Sequence, residues 1–170
     1  VTGVQTCALP IFNFGSDLDI IFIAPINSRQ LDRWSALAAE LMEILSQRTA
    51  DGMTFKTDAR LRPEGRDGLL VNDLAAYEQY YRTRGELWEI QTLSRARLVA
   101  GNENTGRAFE ALAQKLSNFK NPNLPLAAHT KNWQKIIHEM RQLTEADRTP
   151  AGLEELAIKT GAGGLMDAEF

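Results

Sequence analysis

In Gly15-Ser16-Asp17-Leu18-Asp19, two aspartates stand two residues apart at the start of an apolar run, Ile20–Ala24. Read as a strand, that spacing sends both carboxylates to one face, roughly 7 Å apart. Carboxylates this close repel each other unless a cation or a proton compensates. Their oxygens suit Mg²⁺, which takes a few carboxylates and fills its shell with water and phosphate oxygens. Gly15 and Ser16 supply a tight turn whose backbone N–H groups and hydroxyl can meet a phosphate. Two acids in this spacing are also common by chance, and a solvated acidic turn is the competing reading.

A third carboxylate lies in MTFKTDARLRP (53–63). Strand alternation puts Met53, Phe55, Thr57, Ala59 and Leu61 on one side, and Lys56, Asp58, Arg60 and Arg62 on the other. Such a polar face is either a wet outer edge or one wall of an anion site. Beside Asp17 and Asp19, Asp58 would complete a set of three carboxylates able to hold two Mg²⁺, while Arg60 and Arg62 neutralise phosphate oxygens. That equipment suits in-line attack on a nucleoside triphosphate, where positioning and charge neutralisation supply most of the catalysis.

These residues need elements to position them. Leu18–Ala24 reads as a buried strand stopped by Pro25. Trp34, Leu37, Ala38, Leu41, Ile44 and Leu45 recur at helical spacing from Leu31. Residues 53–62 read as a strand, EGRDG as a turn, and Leu69–Val71 as a short strand. Leu74–Arg84, Leu87–Ala100, Thr105–Phe119 and Ala128–Leu143 then read as helices. In the second of these segments, Trp88 reads as a core anchor. Gly161–Gly164 reads as a turn into a helix. The expected fold is an α/β (α+β) core with a mixed sheet over 12–100, followed by a helical region over 101–170.

The chain has 170 residues, 44% hydrophobic and 24% charged, as in ordinary globular proteins. A net charge of −3 argues against nucleic acid as a bulk electrostatic partner. No run reaches membrane-span length. Cys7 is the sole cysteine, so a disulfide framework is excluded and a cytoplasmic setting is expected.

GSDLDIIF followed by DARLRPEGRDG resembles the nucleotidyltransferase superfamily that includes DNA polymerase beta. More narrowly, DARLRPEG, LWEIQTLSRARLVAG and IKTGAGGLMDAEF, in that order, resemble the glutamine synthetase adenylyltransferase family over nearly all of residues 13–170. The resemblance implies Asp17, Asp19 and Asp58 as catalytic, metal-binding carboxylates and Mg²⁺ as the ion. Gly15, Ser16, Arg60 and Arg62 would stand at the nucleotide, and a target tyrosine hydroxyl would attack the α-phosphorus of ATP. Glutamine synthetase is the implied protein substrate, with a nitrogen-signalling regulatory protein as a further partner.

Gln91, Ser94-Arg95 and Asp167 favour the half of the family enzyme that attaches AMP over the half that removes it. A uridylyltransferase of the same fold and a non-catalytic interaction module are the alternatives. The family's Lys-Leu-Gly-Gly segment is lacking ahead of Phe12, which implies a chain inactive by itself. Val1–Ile11 is uncharged and resembles the translation of a common short-read sequencing adapter, so residues 12–170 are expected to be an internal fragment of a longer protein.

Overall fold

A computed structural model describes residues 2–6, 17–26, 28–50, 52–53, 55–120, 128, 130–149, 151–152 and 154–170. Two compact units result, residues 1–128 and 129–170. The helix that follows residue 100 is part of the first, so that unit continues past the boundary expected there.

The first unit is built on β2 (Asp17–Ala24). Its neighbours on one edge are parallel: β5 (Lys56–Asp58) beside its start and β6 (Val71–Asp73) beside its end. On the other edge lies antiparallel β1 (Thr2–Thr6), which in turn pairs with antiparallel β7 (Ala96–Ala100). The sheet is therefore mixed, as expected. β1 falls within the segment set apart on sequence grounds; backbone ladders are tolerant of sequence, and an uncharged extended stretch fills this slot. A two-residue hairpin, β3 (Arg48–Thr49) with β4 (Gly52–Met53), stands apart from the sheet.

Strand alternation divides β2 cleanly. Ile20, Phe22 and Ala24 pack with Ala38, Ala59 and Val71, joined by Leu31, Trp34, Met42 and Leu45 of α1 (Leu31–Ser46). Ile21 and Ile23, on the opposite face, are also buried. A second apolar group includes Tyr77 and Tyr81 of α2 (Leu74–Thr83) and Phe109, Leu112 and Leu116 of α4 (Glu103–Leu116). There Tyr77 meets Phe109 edge-on at 5.3 Å, a favoured aromatic geometry. Burial on both faces explains why β2 reads as a continuous apolar run. Asp73 caps α2 by accepting from the Ala76 N–H at 2.8 Å, and Asn102 caps α4 through the Thr105 N–H at 3.0 Å.

Four expectations are corrected. The helix expected over 87–100 stops early: α3 is Leu87–Leu93, and the chain turns at Ser94 and Arg95 into β7. Ala96 and Leu98 are half-buried while Arg97 and Val99 are exposed, the two-residue period of a strand. Trp88 is 45% exposed and donates Nε1–H to Glu86 at 2.6 Å, so it anchors no core. Of the strand expected over 53–62, the described residues put Met53 at the end of β4 and Lys56–Asp58 in β5, while 59–62 leave the sheet. In α1 the inward stripe is Leu31, Trp34, Ala38, Met42 and Leu45, leaving Leu37, Leu41 and Ile44 exposed.

The second unit holds α5 (Trp133–Arg148) and α6 (Leu165–Glu169), joined through a 3₁₀ turn at 154–156. α5 begins five residues later than its periodicity suggests. Arg141 ties the unit together from a buried position: Nε donates to Asp167 at 2.5 Å, Nη2 donates to the Gly161 carbonyl at 2.9 Å, and Nη1 lies 3.2 Å from Glu145. Gly161 is required there, because a Cβ would sit 2.8 Å from the Glu154 carbonyl oxygen and 2.9 Å from that of Ala157.

Candidate active site

Parallel pairing of β2 with β5 sets Asp17 opposite Lys56, Leu18 opposite Thr57 and Asp19 opposite Asp58. Adjacent residues in register share a face, so Asp19 and Asp58 are lateral neighbours and Asp17 lies one pleat further along. Three acids 39 to 41 residues apart in sequence (Asp58 against Asp19 and Asp17) thus come to one end of the sheet. Gly15 and Ser16, expected at the same site, lie outside the described residues.

The electrostatics differ among the three. Burial, then the charges of Asp58 and Asp17, push the Asp19 carboxyl above its ordinary value. Arg60 and Arg95 pull the other way. Arg95 reaches this electrostatic neighbourhood from the turn ahead of β7. Asp58 is held below the usual carboxylate range, chiefly by its hydrogen bond from the Arg60 side chain. Its Oδ1 accepts the Arg60 backbone N–H at 2.8 Å, and its Oδ2 accepts Arg60 Nε–H at 2.6 Å. Asp17 faces the Lys56 ammonium at 3.4 Å.

The two arginines after Asp58 have different work. The Arg60 side chain is 58% exposed and caps Asp58. The Arg62 guanidinium turns into its own loop, donating to the carbonyls of Ala59 at 2.6 Å, Arg66 at 3.1 Å and Gly68 at 3.2 Å. These bonds gather the PEGRDG turn, in which Glu64 takes the left-handed conformation (φ 64°). At Gly68 a Cβ would lie 1.9 Å from the Pro63 carbonyl oxygen, so the turn admits no larger residue without moving.

A cleft of about 480 Å³ opens here. Asp17 and Asp58 line it together with Lys56, Arg60, Arg62 and Arg66, over a floor that includes Met42 and Leu70. Asp19 is outside that lining. Four cationic side chains against two carboxylates suit a polyanion that arrives with its own cations. Arg66 escaped the strand-alternation argument because it is presented by a loop. Its only sequence signal was its place in the glycine-rich turn after the acid.

Among the described residues, no three His, Cys, Asp or Glu side chains converge into a preformed metal cluster. Lys56 and Arg60 each engage a carboxylate oxygen, on Asp17 and Asp58 respectively, that a cation would use. The donor chemistry still fits Mg²⁺, being carboxylate oxygen throughout, on neighbouring backbone positions.

Known proteins resemble this chain along nearly its whole length. The sequence model of the family glutamate–ammonia ligase adenylyltransferase matches residues 11–112, which carry the whole β2–β5 site. Among curated relatives, a bifunctional glutamine synthetase adenylyltransferase/adenylyl-removing enzyme of Xanthomonas axonopodis pv. citri is 39% identical over 170 aligned residues, covering 92% of this chain. The enzyme of the same name from Stenotrophomonas maltophilia is 40% identical over 92% of this chain, and that from Streptomyces coelicolor is 33% identical over the whole of this chain. The chain spans 17% of the length of each of these relatives. No helix among the described residues is long and apolar enough to cross a membrane. With the acids in register on β2 and β5 and relatives aligned along nearly its whole length, the chain belongs to the glutamate–ammonia ligase adenylyltransferase family.

Proposed function

We propose that this chain forms part of the nucleotidyl-transfer site of an enzyme that moves AMP from ATP to a tyrosine of glutamine synthetase, in the cytoplasm and under a nitrogen-signalling regulatory protein. The observation that carries the reading is the register of β2 on β5, which sets Asp19 beside Asp58 with Asp17 on the same face. The names of the relatives supply the protein substrate, and they name removal of the adenylyl group as well as its attachment. Attachment is favoured by Gln91, Ser94-Arg95 and Asp167, the residues that resemble the attaching half.

Asp17, Asp19 and Asp58 would hold Mg²⁺. Bound there, the ion supplies charge neutralisation on the triphosphate and favours the deprotonated form of the attacking hydroxyl. The chain's own residues bind and orient. Arg60 and Arg66, with Lys56, meet the phosphate oxygens in the cleft, and Arg62 keeps the loop that presents Arg66 in shape. The tyrosine oxygen forms a bond to the α-phosphorus as the bond to the pyrophosphate oxygen breaks. Pyrophosphate leaves along the cationic wall.

The test is transfer of label from α-labelled ATP to glutamine synthetase by the full-length enzyme. Asp19→Asn is expected to lower the rate by about 10³-fold or more, as for loss of a group that stabilises transition-state charge. Unaltered rates of both transfer and phosphorolysis would remove the metal assignment. A labelled glutamine synthetase whose Asp19→Asn enzyme loses phosphorolysis but keeps attachment would favour the removing half instead.

A further inference from the structure

The three carboxylates are unequally committed. Both oxygens of Asp58 are taken by one residue, Arg60, through its backbone N–H at 2.8 Å and its Nε–H at 2.6 Å, with Nη2 against the same Oδ2. Asp17 meets Lys56 at the longer distance of 3.4 Å, and both of those side chains are open to solvent. A cation that uses Asp58 must therefore displace a guanidinium held by a two-pronged, charge-assisted contact. Arg60 is well placed to leave: its side chain is 58% exposed and lines the cleft. A guanidinium fork fits phosphate as well as it fits carboxylate, so exchanging one for the other costs little. Arg62 is held back from the same exchange, since each of its three guanidinium nitrogens already donates to a backbone carbonyl.

We propose that Arg60 is an internal counter-ion that latches Asp58, so that a divalent cation gains this carboxylate only when a polyphosphate draws the guanidinium into the cleft. The inference rests on the reading of Asp17, Asp19 and Asp58 as cation ligands. It makes cation and triphosphate bind in concert, each weakly alone. It also gives Arg60 two successive partners, a carboxylate before substrate and a phosphate after.

The experiment uses Mn²⁺ alone as the probe, following free Mn²⁺ by electron paramagnetic resonance against the 170-residue chain and its variants. Arg60→Gln is expected to bind Mn²⁺ about tenfold more tightly than the unaltered chain, because one competing positive charge has gone. Arg60→Lys, which keeps the charge and loses the fork, is expected between them. In Asp58→Asn the substitution at Arg60 should make no difference. Thermal unfolding of each variant, read by circular dichroism, separates a changed site from a changed fold. In the metal-free chain, the Arg60 Nε–H resonance should move on adding inorganic tripolyphosphate. Equal Mn²⁺ affinity in the unaltered and Arg60→Gln chains, with Asp58→Asn weaker than both, would overturn the latch and leave the carboxylate site standing. Mn²⁺ binding that is negligible in every chain, or indifferent to Asp19→Asn, would remove the carboxylate reading and the latch with it.

Discussion

Two arginine–aspartate pairs in this chain are chemically alike and structurally opposite. Arg60 reaches Asp58 at 2.6 Å in the first unit, and Arg141 reaches Asp167 at 2.5 Å in the second. The Arg60 side chain is 58% exposed; that of Arg141 is 8% exposed. An exposed pair can trade partners because water and phosphate compete for the same guanidinium. A buried arginine cannot, because each donor it loses is left without water. Burial, and not the identity of the residues, makes one pair a movable part and the other a fastening.

Breaking the fastening should have the larger effect on folding. Arg141→Ala removes donors to Gly161 and Asp167 together, and is expected to destabilise the second unit by about 3 kcal/mol, read by urea denaturation. A loss below about 1 kcal/mol would mean that the buried guanidinium is not what ties α5 to the glycine turn. Arg62→Ala should follow at about 2 kcal/mol, since three carbonyls of the 59–68 loop lose a charged donor but can recover water. Arg60→Gln should change stability by no more than about 0.5 kcal/mol, the ordinary range for an exposed pair. A large loss there would erase the contrast with Arg141.

pH sharpens the comparison without a mutation at either arginine. The Gly163 N–H, and then Arg141, hold the Asp167 carboxyl below its ordinary value of 3.8. The unfolded chain then takes up that proton first, so the pair's contribution is present above about pH 3.8 and is lost as the pH falls further. Glu89 behaves in the opposite sense. Burial raises its carboxyl above the ordinary 4.5, while bonds from the Glu86 N–H at 2.8 Å and the Tyr80 hydroxyl at 3.0 Å keep it in place. Its contribution is complete below pH 4.5 and declines as the pH rises through its folded value. Glu89→Gln should flatten the stability profile of the first unit in that window, measured by denaturation at stepped pH. An unaltered profile would assign the dependence to another group.

Much of this was legible from pattern. The spacing of Asp17 and Asp19 fixed their shared face before any neighbour was known, because strand parity is local. Apolar runs placed β2, α1, α2 and α4 to within three residues, β2 by its continuous apolar run and the helices by the period of a buried face. Leu87–Ala100 misled because helical and strand preferences of ARLVA are nearly balanced, and pairing with β1 decided the matter. Arg60 and Arg62 looked equivalent two residues apart. Only the loop's carbonyls, brought together by the PEGRDG turn, gave Arg62 a structural task.

By itself the sequence determined the residue types of the site, the parity of its acids, the family to which the chain belongs and the apolar faces that build the core. Those follow from neighbours along the chain, whose geometry is set by backbone period. The tertiary structure decided that Asp58 stands beside Asp19, that Arg66 joins the cleft, and that one arginine is exposed where another is enclosed. Such facts depend on which strands pair and which loops close, and pairing between distant segments is chosen by the burial of whole faces rather than by the residues that later do the chemistry.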